Sequence, residues 1–169
     1  MNDLLKRELR NKAMEMGAQQ AAIFTLDQIV FDQRTFLKCL FGCPGGMPYC
    51  PSKQDVANSL VYADIIKNYS WGIILCTEDL KLGQKITLEL ESRAFLSGCH
   101  FAFGATECEN CDACSFSEKG TCINPKKVRP PLYALGIDVY STAKNLGWGL
   151  QVVQHKGDPA KNITAVFVE

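Results

Sequence analysis

The chain predicts an α/β fold: one sandwich of about five strands with helices over residues 1–169, with cysteine-rich loops inserted between strands and helices. Three observations carry this expectation. Short apolar runs such as Trp71 to Cys76 (WGIILC) alternate with longer segments whose apolar residues recur every three or four positions. A length of 169 residues suffices for a single core. No internal repeat, low-complexity tract or linker divides it.

Leu5, Leu9, Ala13 and Met16 share one helical face, and Gly17 is placed to end that helix. Ala21 to Leu26 (AAIFTL) reads as a buried strand. Ser52 is a candidate helix cap, with Asp55 at the capping-box position and Val56, Leu60, Ala63 and Ile66 on the inner face. WGIILC reads as a central strand. Gly83 to Ser97 follows as a helix with Ile86, Leu90 and Ala94 inward and Gly98 at its end. His100 to Ala105 is a third strand and delivers the chain into Cys108.

Pro131 suits a helix start. From there Leu132, Leu135, Val139, Ala143 and Leu146 predict one helix stopped by Gly147. Gly149 to Gln154 and Ile163 to Val168, flanking a turn-rich segment, predict a terminal hairpin or neighbouring strands.

Eighteen basic residues balance eighteen acidic ones, which leaves no electrostatic footprint for nucleic acid or an anionic membrane. The charged first residues lack a signal-peptide core, and no apolar run approaches the roughly 20 residues of a membrane span. A cytoplasmic protein is expected. P-loop, G-x-S-x-G and H-E-x-x-H motifs do not occur, so nucleotide hydrolysis, serine hydrolysis and zincin chemistry lack support.

Nine cysteines in such a compartment point to metal ligation rather than disulfides, and an odd count argues against complete pairing. Between Cys108 and Cys122 the chain reads C-E-N-C-D-A-C-S-F-S-E-K-G-T-C. Cys108, Cys111 and Cys114 stand at two-residue spacing on one tight loop, and Cys122 can close the cage. A [4Fe–4S] cube needs four soft thiolates, one for each iron corner. A four-cysteine zinc site is the alternative, although zinc ligands usually fall into two separated C-x2–4-C pairs. Pro125, Pro130 and Pro131 stiffen the exit from the loop and Gly120 permits its turn.

Cys39, Cys43 and Cys50 form a second candidate set in a loop rich in glycine and proline, and nine cysteines permit two cubes. Its fourth ligand would be Cys76 or Cys99, each of which also reads as a small buried hydrophobe. A three-cysteine site with an open iron corner would instead act on a substrate. His100 reads as an ordinary strand residue and His155 as a solvent-facing turn residue.

The pairing of C-x3-C-x6-C-P with C-x2-C-x2-C-x7-C-x2-P, followed by Arg129-Pro130 and Gly136-Ile137-Asp138-Val139, resembles a known family. This is the uncharacterised cysteine-rich "predicted metal-binding protein" domain family of anaerobic bacteria and archaea. The resemblance runs from about Phe36 to Trp148. Members commonly carry a glutamate before the glycine of the last motif, where this chain has Leu135, and an aromatic-C-P-P ending where it has Tyr49-Cys50-Pro51-Ser52. The resemblance implies iron–sulfur binding in an oxygen-avoiding cell and names no reaction. The expectation is therefore an iron–sulfur protein, with one cluster assigned and a second permitted, moving electrons between redox partner proteins. An iron–sulfur enzyme and a zinc-stapled interaction domain are its rivals. Oligomeric state is left open.

Overall fold

Central strand β2 (Trp71–Thr77) is buried along its whole length, which accounts for its unbroken apolar run. A computed structural model describes residues 2–42, 56–155 and 160–169. In it β2 lies between β1 (Gln20–Thr25) and β4 (Asn162–Phe167), and β3 (Phe103–Ala105) closes the far edge. Every pairing is antiparallel. The fold class is α/β, as expected.

Alternate residues of the strands feed two cores. On one face Ile73, Leu75 and Val166 pack with Leu9 and Ala13 of helix α1 (Asn2–Glu15). Ile86, Leu90 and Ala94 join them from helix α4 (Leu80–Leu96). On the other face Phe24, Ile74, Ala165 and Phe167 meet Ile66 of helix α3 (Val56–Ile66) and Leu132, Leu135 and Ile137. Burying this aliphatic and aromatic surface is the main term holding the layers together. Phe24 meets Phe167 edge-on at 5.6 Å, and its ring crosses β2 at Gly72, where a Cβ would stand 2.4 Å from it.

Three expectations are corrected. Helix α4 begins at Leu80 rather than Gly83, because the Asp79 carboxylate accepts from the Leu82 N–H at 2.6 Å and caps it. The long helix from Pro131 is broken. Leu132–Leu135 is a 3-10 turn ended by Gly136 at φ +78°, and a fresh helix α6 (Val139–Asn145) starts from Asp138, whose carboxylate accepts from the Tyr140 and Ser141 N–H groups. The apolar periodicity survives the break, since Leu132, Leu135 and Ala143 are all buried.

Gly149 to Gln154 forms no strand, so the described residues hold four strands rather than about five. Both edges of β4 are already taken by β2 and β3, so that segment cannot pair with β4 as a hairpin. Among the described residues, no helix is long and apolar enough to cross a membrane.

Candidate metal centre

The cysteine loop leaves the end of β3 and returns beside it. At its neck the Thr106 N–H donates to the Pro130 carbonyl at 2.9 Å. Just inside the neck, Arg129 donates from Nε to Glu91 Oε2 at 2.8 Å and from Nη2 to Glu91 Oε1. The Gly104 N–H donates to the same Glu91 at 2.6 Å. With side chains only 19% and 17% exposed, the Arg129–Glu91 pair pins both limbs of the loop to α4. Gly104 is required there, because a Cβ would lie 2.7 Å from Glu91 Oε2.

Inside the loop, side-chain clasps hold the segments that carry the cysteines. Gln84 is only 1% exposed on the inner side of α4. Its Oε1 accepts from the Glu109 N–H at 2.8 Å and its Nε2 donates to the Lys127 carbonyl at 3.0 Å, joining the loop's entry to its exit. The same side chain stands beside the Cys108 thiol. Burial pushes that thiol's pKa up, the Asn110 N–H and Gln84 oppose the shift, and Cys122 and Cys111 add to it from nearby. Cys108 therefore feels both of those cysteines. Asn124 Nδ2 donates to Cys111 Sγ at 3.3 Å, and Asn110 Nδ2 lies 3.9 Å from the same sulfur.

Cys114 caps the short helix α5 (Ser115–Lys119) and is exposed. The Ser115 hydroxyl donates to the Thr121 carbonyl at 2.9 Å and accepts from the Ile123 N–H at 3.2 Å. Those two residues flank Cys122, so one serine fastens the neighbour of Cys114 to both neighbours of Cys122. Gly120, at φ +70°, makes the return turn. Beside Cys111, Lys81 Nζ meets Asp112 Oδ1 at 2.6 Å, an exposed pair.

The other thiols lie elsewhere. Cys39 is not on an irregular loop but on helix α2 (Thr35–Gly42), buried against Ala134 and Tyr133. Cys43 and Cys50, like the Ser52 cap, fall outside the described residues. Cys76 is fully buried in β2, with Sγ 3.9 Å from Gln19 Oε1, and burial pushes its thiol up. By strand alternation it shares the sheet face of Ile74, on the side of α3. Cys99 is half-buried beyond the end of α4, against the α1 layer on the opposite face. About 18 Å of helix separates Gln84, which touches Cys108, from the end of α4 that leads to Cys99. His100 lies in an exposed turn before β3 rather than on a strand and meets Phe101 edge-on, and His155 is exposed as expected.

A link between the two cysteine regions was not read from sequence. Glu107 immediately precedes Cys108, and burial raises the pKa of its carboxyl. It accepts a hydrogen bond from Tyr133, which packs on Cys39. Gln84 was also missed. A signal for it exists, because Gln84, Thr87 and Glu91 are spaced i, i+3, i+7 and form a polar stripe on the covered side of α4.

The donor set suits a metal held by soft sulfur: four cysteines on one clasped loop, with amides aimed at two of the sulfurs. Among the described residues, no three Cys, His, Asp or Glu side chains stand close enough together to hold one ion. None of the described cysteines forms a disulfide.

An α/β domain that carries such a loop belongs among metal-binding proteins. The chain is a member of the family described as "Predicted metal-binding protein (DUF2284)", whose model matches residues 22–168 and so takes in both cysteine regions. Mouse (Mus musculus) receptor-transporting protein 4 is 30% identical over 96 residues, 56% of this chain and 32% of that protein. The chain thus spans about a third of that protein's length. No solved structure matches.

Proposed function

We propose that the protein carries a [4Fe–4S] cluster on Cys108, Cys111, Cys114 and Cys122 and passes single electrons between redox partner proteins in a reducing cytoplasm. The observation that carries this reading is a single loop bearing four cysteines with side-chain amides on a sulfur: Asn124 Nδ2 at 3.3 Å and Asn110 Nδ2 at 3.9 Å from Cys111 Sγ. Hydrogen bonds to ligand sulfur, together with solvent exposure, tune the potential of such a centre.

When bound, the cluster supplies one-electron chemistry. The chain's own residues do the rest. Gln84, Ser115 and Asn124 tie down the loop that carries the thiols, while the Arg129–Glu91 pair fixes that loop to α4. Exposed Cys114 brings the centre to the surface, within reach of a partner. Binding displaces the proton that burial holds on Cys108, so loading weakens as pH falls.

Cys39, Cys43 and Cys50 are the donors of a second site under the same reading. Cys76 shares the sheet face of α3, which follows that loop, and is its fourth donor, whereas Cys99 on the opposite face is a packing residue.

Protein purified without oxygen should be brown, with broad absorbance near roughly 400 nm that bleaches on reduction. Serine at Cys111 should remove most of that absorbance. A colourless protein that binds zinc stoichiometrically would replace this reading with the zinc-stapled domain.

A further inference from the structure

A cleft of about 590 Å³ opens beside the cysteine loop, between Met16, the first turns of α4 and Lys127. Its wall includes Gln84 and Asn110, the two side chains whose amides meet Cys108 and Cys111. A molecule seated there would be separated from those sulfurs by these two side chains, while Cys111 itself lines the opposite flank.

The cleft has an apolar floor of Met16, Leu82 and Leu88 and a basic rim of Lys81, Lys85 and Lys127. Two of its charges are already matched: Lys81 pairs with Asp112, and Glu89 pairs with Arg93 at 2.7 Å. Lys85 and Lys127 are exposed and form no ion pair among the described residues, and Lys126 beside them is exposed as well. On a chain of zero net charge this is a local positive field. The other flank of the loop has the opposite character, with Glu78, Asp79, Glu109 and Asp112 around Cys111.

We propose that this cleft is the docking surface for a small acidic redox protein, an inference that rests on the electron-transfer reading above. An acidic partner is drawn to the rim formed by Lys85 and Lys127 and repelled from the acidic flank, which fixes its orientation. The apolar floor gives the desolvated centre of such a contact, and the lysines give its polar rim. One electron leaves the partner and one cluster iron is reduced, with no bond made or broken between the two proteins.

The test uses the full chain, loaded without oxygen, and reduced flavodoxin, a small acidic flavoprotein, as the electron donor. Rates are followed by stopped flow over a range of salt. The wild-type rate should fall steeply with salt. The double variant Lys85→Glu, Lys127→Glu should be slower by about tenfold or more at low salt, with the two rates converging at high salt. Lys144→Glu, on α6, should match the wild type, and dithionite should reduce all three proteins equally. Equal rates for the double variant and wild type, or a salt-independent wild-type rate, would overturn the docking surface while leaving the cluster in place. A chain that assembles no cluster would overturn the electron-transfer reading and the docking surface with it.

Discussion

Replacing Gln84 with leucine removes the clasp that joins the two ends of the cysteine loop while keeping a side chain of similar volume. Two hydrogen bonds are lost, 2.8 Å from the Glu109 N–H and 3.0 Å to the Lys127 carbonyl, along with the neighbour of the Cys108 thiol. A typical internal hydrogen bond contributes about 0.5–1.5 kcal/mol net, and a partner stranded away from water costs about 1–3 kcal/mol. Glu109 and Lys127 are exposed residues, so water can replace part of what is lost and the lower figures apply. The expected destabilisation of the metal-free chain is about 1–3 kcal/mol, or roughly 3–10 °C in melting temperature for a domain of this size. Loss of an outer partner of a ligand also predicts about 10–100-fold weaker metal retention. Thermal unfolding followed by circular dichroism and iron release to a chelator measure the two effects. Gln84→Leu that melts with the wild type and holds metal equally well would refute the clasp.

Three further outcomes follow from the same contacts. Glu91→Ala strands the Arg129 guanidinium and the Gly104 N–H; discounted for the pair's residual exposure, this should cost about 2–4 kcal/mol, read from the urea midpoint. Gly104→Ala places a methyl group 2.7 Å from Glu91 Oε2 and 2.9 Å from Thr87 Cγ2, an overpacking cost of about 1–3 kcal/mol in the same assay. Hydrogen bonding to Arg34 lowers the pKa of Asp32 from 3.8 to about 2. The stability linked to that shift is present above 3.8 and lost as pH falls through about 2. A carboxyl titration by NMR should find that midpoint, and Arg34→Ala should return it toward 3.8.

What the sequence disclosed, and what it hid, divides along physical lines. The apolar runs and periodicities of WGIILC and of Leu5, Leu9 and Ala13 placed β2 and α1 correctly, because burial on a strand or helix face leaves a repeating mark. The break at Gly136 was hidden, since Leu132 to Leu146 keep their helical spacing across it and only the conformation of Gly136 and the Asp138 cap reveal it. Nor could spacing show that Gly149 to Gln154 lacks a partner, because occupancy of the edges of β4 is a property of the whole sheet. Four cysteines announced a site by residue type alone. The residues that shape it, Gln84, Ser115 and Asn124, are ordinary polar side chains, and only their long-range or loop-closing hydrogen bonds set them apart. The polar stripe Gln84, Thr87, Glu91 runs along α4 beside the apolar face of Ile86, Leu90 and Ala94, and its burial depends on the loop that covers it.

Iron and acid-labile sulfide determination on protein kept from oxygen tests the central claim most directly. The account predicts about four of each per chain bound through Cys108, Cys111, Cys114 and Cys122, with a matching further complement if the Cys39 site is filled, and loss of the first complement when those four are changed to serine. Iron and sulfide near zero, with about one zinc per chain released by the same substitutions, would contradict it.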